Sequence, residues 1–224
     1  MTALQLALSS FLLIAGLFFF STKKKPAWGK ELSTPYATVN IISAMSTAVV
    51  TGAMSFFADG FMKSLPVILA VTSLFYVFIQ SIFTDVQAHK VDRNVIRVAT
   101  IVPFPFLVAT TEGYLHLEWI VALLVCGAMV FFPMIMGPSD GRALLMTAAL
   151  SYPILGVTLF WYCCIAFILL GFVFILLKTL VDSIRNGGGF VKKLLSKEHY
   201  PMVPFILFPH VATIIVLETL SHMG

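Results

Sequence analysis

Leu65-Pro66-Val67-Ile68-Leu69-Ala70-Val71-Thr72-Ser73-Leu74-Phe75-Tyr76-Val77-Phe78-Ile79-Gln80-Ser81-Ile82-Phe83 runs without a charged residue and then meets Thr84-Asp85. A helix of that length is long enough to cross the hydrocarbon core of a bilayer. Similar stretches recur along the chain. Of its 224 residues, 59% are hydrophobic and only 11% charged, with a mean hydropathy of +0.99. Soluble domains carry about 25% charged residues. The chain therefore reads as all-α, a polytopic membrane protein. A membrane β-barrel would show short alternating segments instead.

Eight segments are expected to span the membrane: 3–21, 37–57, 65–83, 95–111, 118–136, 143–157, 159–179 and 202–220. The sixth and seventh come from one apolar stretch, divided at Tyr152-Pro153 and Gly156, where the chain can turn. The first could be taken for a secretory signal, but Lys23-Lys24-Lys25 follows it rather than preceding it. A retained helix with its N-terminus outside is the expectation. With those lysines in the cytoplasm, the cytoplasmic loops are 22–36, 84–94, 137–142 and 180–201. Together with the adjoining helix ends, they hold thirteen of the 14 basic residues, all but Lys63. That imbalance supports both the span count and a multi-pass orientation in the cell (inner) membrane with both termini outside.

The net charge of +4 does not point to nucleic acid. The basic residues sit in short loops, where they orient the protein and meet lipid headgroups. In the last such loop, Gly187-Gly188-Gly189 reads as a joint and Phe190–Leu195 as a short amphipathic piece on the membrane surface. Cys126, Cys163 and Cys164 lie in apolar runs with no CxxC pair, and read as small buried residues. The five histidines show no HExxH spacing. No metal or organic cofactor is expected.

The orientation places Asp85 and Asp140 on one side of the membrane. Ionisable residues at the edge of a span are functional candidates, and two carboxylates together suggest acid–base hydrolysis. Each also has a simpler reading. Asp85 ends a span and could be a solvated interfacial charge, while Asp140 or Ser139 could cap a helix. Gly137 and Gly141 flank Asp140 and allow a close backbone approach, and Pro138 limits helix continuation. Asp92, in the same loop as Asp85, competes with it for the assignment.

Three stretches, taken in order, resemble the type IV prepilin peptidases and archaeal preflagellin peptidases, membrane aspartyl proteases of the GxGD class. They are Asp85–Asn94, Gly137-Pro138-Ser139-Asp140-Gly141-Arg142 continuing to Leu150, and Tyr200-Pro201-Met202-Val203-Pro204-Phe205-Ile206-Leu207. Ser139 stands where the family has its second glycine, Arg142 where it has lysine, and Asp92 where proline is common. The resemblance implies a single transmembrane peptidase domain over 1–224. Residues 1–36 would form an N-terminal helix with a basic loop, and 65–220 the catalytic bundle. Asp85 and Asp140 would be the catalytic pair. Gly137, Pro138, Ser139, Gly141 and Arg142 would form the active-site turn, with Lys90 and Pro204 in support.

The implied activity is aspartic endopeptidase cleavage of prepilin-like substrates (type IV pilins, pseudopilins or preflagellins), removing a short basic leader at the cytoplasmic face. The loop 22–36 is short and lacks cysteine, so no methyltransferase domain is implied. Two alternatives stand beside this reading: an inactive relative that binds or escorts pilin-like proteins, and a small proton-coupled transporter using the same aspartates. The span middles carry almost no charge, which weighs against transport.

Overall fold

The computed structural model describes residues 2–23, 26–57, 63–110, 115–131, 137–186 and 200–221. Among them there is no strand. The helices are α1 (Ala3–Lys23), α2 (Tyr36–Phe57), α3 (Leu65–Ala88), α4 (Arg93–Ile101), α5 (Phe104–Thr110), α6 (Leu115–Phe131), α7 (Pro138–Leu150), α8 (Tyr152–Asn186) and α9 (Val203–Ser221). A single 3-10 turn, Ala27–Lys30, lies between α1 and α2. Among the described residues, six segments are long and apolar enough to cross a membrane: α1, α2, α3, the α4–α5 pair, α8 and α9. The protein is thus an all-α, multi-pass membrane protein.

The expected segments differ in detail. The fourth, 95–111, is interrupted at Val102-Pro103, because proline cannot donate to the helical ladder. The sixth, placed at 143–157, instead begins at Pro138 and ends at Leu150. Its 13 residues reach about 20 Å, less than a bilayer core. The chain then turns through Ser151–Leu155, breaks at Gly156, and continues as one long helix to Asn186. Asp182 and Arg185 therefore lie on a helical extension rather than in the expected loop. Lys24, Lys25, the triple glycine and Phe190–Leu195 lie outside the described residues.

Gly156 has φ 71° and ψ 175°, a conformation open essentially only to glycine. A Cβ there would meet nothing within 4 Å, so strain alone decides the outcome. Gly156→Ala is expected to destabilise the protein by about 1–3 kcal/mol, read as a lower unfolding temperature in detergent. An unchanged temperature would mean that the turn relaxes without cost.

Contacts far apart in sequence show which helix ends share a face. Tyr36 at the start of α2 bonds Asp92 at the start of α4. Asp85, near the end of α3, bonds Val203 at the start of α9. Gly141 in the first turn of α7 lies against Val130 at the end of α6, and Thr179 on α8 meets Tyr200 just before α9. The Lys90–Glu31 ion pair, 3.0 Å, joins the loops on the same side. At the opposite end, Tyr152 donates to Glu118. The segments therefore alternate in direction. Lys30, Lys90, Arg93, Arg97 and Arg142 gather at one end, here termed the basic face.

One large core joins α1 to α3, α7, α8 and α9, while Leu32, Tyr36 and Val39 form a second, smaller cluster. Leu13, Ile14 and Leu17 of α1 pack in the same cluster as Leu74, Ala143, Leu150, Phe160 and Ile206. The three cysteines are buried and free. The inner face of α2 is polar: Asn40, Ser43, Thr47, Thr51 and Ser55 recur every three or four residues and are buried. Each of the four hydroxyls donates to the carbonyl four residues back. This satisfies the donor where no water competes, and the small side chains allow close helix approach.

Candidate functional site

Asp85 lies in the last turn of α3. That helix stops at His89, whose φ of 51° places it in the left-handed region and whose N–H caps back to the Asp85 carbonyl at 2.9 Å. The Asp85 side chain is buried, 3% exposed, so a freely solvated charge is not its state. Its Oδ2 accepts the Val203 N–H at 3.0 Å. Val203 opens α9, where the first N–H groups have no helical partner. Pro204, the next residue, has no N–H to offer. From the late proline block it is the Val203 N–H that Asp85 accepts.

Asp140 stands at the third position of α7, in the turn formed by Gly137 and Pro138. Its Oδ2 accepts the Gly137 N–H at 3.0 Å. The helix-cap role is therefore real, but it is performed backwards from inside the first turn, and Ser139, half-buried in that turn, is not the capping position. Negative charge is favoured here by the helix dipole. Asp85 and Asp140 lie within electrostatic reach of each other.

The two glycines do different work. Gly137 has ordinary extended angles (φ −61°, ψ 155°), so its backbone needs no special freedom. A Cβ there would, however, sit 3.0 Å from Asp140 Oδ2. At Gly141 a Cβ would lie 2.9 Å from the Val130 Cα and 3.1 Å from its N. The close backbone approach in this motif therefore falls at Gly141, not at Ser139. Gly141→Ala should force α6 and α7 apart and cost about 1–3 kcal/mol, as overpacking does. Thermal unfolding measures this, and wild-type stability in the variant would contradict the tight contact.

Arg142 is half-buried, and its pKa is lowered by that burial and by the neighbouring Arg93 and Arg97 guanidiniums. Lys90 pairs with Glu31, both side chains about half exposed; it ties two loops together. Asp92 is a structural group. It is buried, caps α4 by accepting the Asn94 N–H, and accepts the Tyr36 hydroxyl at 2.8 Å. Gln80 extends this network, donating to Tyr36 and to Asn40. Sequence reasoning missed the network, although the spacing of Tyr36, Asn40, Ser43 and Thr47 was a readable signal of one polar helix face.

An apolar groove of about 420 Å³ opens between α6 and α8 beside this site. Leu144, one turn after Asp140, and Met202, next to Val203, form part of its lining, with Cys126, Met129, Trp161 and Cys164. No group of three or more potential metal ligands occurs among the described residues. Comparisons with protein-family models, with curated proteins and with solved structures gave no match. The functional reading rests on the motifs and the geometry above.

Proposed function

We propose that this protein is a membrane aspartyl endopeptidase of the prepilin-peptidase type, with Asp85 and Asp140 as its catalytic pair. The observation that carries the reading is the meeting of all three motif stretches. Asp85 from the first is bonded to Val203 of the third, and stands in electrostatic reach of Asp140 in the second. Two carboxylates brought together at such a site cannot both ionise cheaply and would share one proton. Asp140, favoured as an anion at its helix N-terminus, would draw a proton from water. Asp85 would hold the shared proton and polarise the scissile carbonyl.

The substrate would be a prepilin-like protein with a short basic leader and an apolar helix. The basic face corresponds to the cytoplasmic side of the cell (inner) membrane. The groove between α6 and α8 suits the apolar helix, since Leu144 of the second motif stretch and Met202 of the third form part of its lining. The test is leader removal from such a substrate by reconstituted wild type, Asp85→Asn and Asp140→Asn. Glu31→Gln is the control rather than an Asp92 variant, because Asp92 holds the fold.

A second reading, an inactive relative that binds pilin-like helices, draws support from the Asp140–Gly137 bond, which gives Asp140 a purely structural occupation. It predicts substrate retention without cleavage by any variant.

A further inference from the structure

The outer face of α4 changes character within two turns. Arg93 and Arg97 are exposed and one turn apart, and the next residue on that face, Ile101, is 65% exposed. Residues four apart share a helix face. Val95, Ile96 and Ala99 turn inward to the core. On a helix entering a bilayer this order marks the boundary, with guanidiniums at the headgroups and isoleucine among the acyl chains. α7 packs against α4 and brings half-buried Arg142 into electrostatic reach of both arginines.

Among the described residues no ion pair joins these arginines to an acid. Asp92, beside Arg93 in sequence, has its oxygens on Tyr36 and on the Asn94 N–H. Three like charges gathered by two helices repel one another, and an anion between them turns that repulsion into attraction. The guanidinium fork matches phosphate oxygens in a bidentate way.

We propose that Arg93, Arg97 and Arg142 form a binding site for the phosphodiester of an anionic phospholipid whose acyl chains pass over Ile101. Free phosphate would meet the same guanidiniums but gain nothing from the apolar surface directly below them, which assigns the lipid as the ligand. Arg142 also belongs to the turn that carries Asp140, but the lipid site does not require the peptidase reading.

The test uses the full chain in neutral detergent, titrated at constant ionic strength with phosphatidylglycerol, phosphatidylcholine or inorganic phosphate. Binding is read by native mass spectrometry and by the unfolding temperature. Phosphatidylglycerol should be retained and should raise that temperature, and phosphatidylcholine should do neither. Arg97→Gln should weaken phosphatidylglycerol binding about fivefold, the effect of one basic residue at a membrane surface. Arg93→Gln with Arg97→Gln should abolish the preference over phosphatidylcholine; both positions are exposed, so folding is spared. Arg142→Lys, which keeps charge but loses the fork, should fall between wild type and Arg142→Gln. Lys30→Gln, exposed on the same face, should change nothing. Equal phosphatidylglycerol binding by wild type and the paired variant, or equal retention of phosphatidylcholine, would overturn the site. Inorganic phosphate matching phosphatidylglycerol at equal concentration would overturn the lipid as its ligand.

Discussion

Asparagine at either Asp85 or Asp140 is expected to lower leader cleavage by about 10²–10⁴-fold, while Glu31→Gln cleaves at the wild-type rate. The magnitude is that of losing a positioned general acid or base. The two losses should not multiply. A pair acting as one unit fails when either member is neutralised, so the double variant should be about as slow as each single one. Asparagine keeps the size of aspartate, and its amide oxygen can still accept the Val203 or Gly137 N–H, so both variants should fold. Substrate binding should survive as well, since the apolar helix would be held by the groove around Leu144 and Met202 rather than by the carboxylates. A cleavage assay in liposomes, with substrate co-purification in parallel, separates these effects. Full activity in either single variant would remove that carboxylate from the mechanism.

The placement of Asp85 and Asp140 at one end of the bundle could be read from the chain because two strong signals agreed. The apolar runs set the number of segments, and the lysines and arginines set which ends share a face; these alone bring residues 85 and 140 to one side. The contacts at Asp92–Tyr36, Asp85–Val203 and Gly141–Val130 follow the same alternation. The details that escaped the reading turn on geometry that hydropathy does not encode. Helix α7 starts five residues before its expected edge because Pro138 suits the first turn of a helix and Asp140 caps it from within. The tight glycine is Gly141 because its Cβ direction meets the α6 backbone, a fact about packing that no local pattern reports. Asp92 and Asp85 look alike in sequence, both acids in one loop. Only the partners separate them, a tyrosine from α2 in one case and a backbone N–H from α9 in the other.

That separation carries a second large prediction. Asp92→Ala should destabilise the protein by about 2–4 kcal/mol, from a lost helix cap worth about 1 kcal/mol and a buried hydroxyl stripped of its acceptor. Tyr36 is 5% exposed, so water cannot readily replace the carboxylate. Gln80 already donates to the Tyr36 oxygen and offers its hydroxyl proton no substitute acceptor through that bond. Tyr36→Phe alone should cost less, since it removes the donor that needs Asp92. Combined with Asp92→Ala it should cost distinctly less than the sum, because the orphaned hydroxyl no longer exists; such non-additivity is the signature of a direct contact. Equilibrium unfolding in mixed micelles gives the three values. Simple additivity, or an Asp92→Ala protein as stable as wild type, would show that the buried pair does not hold α2 to α4. Cleavage per folded molecule should be unchanged in all three variants, the opposite of the result at Asp85. Two acids seven residues apart would then be assigned to different tasks, one joining helices in the bundle and the other meeting the substrate.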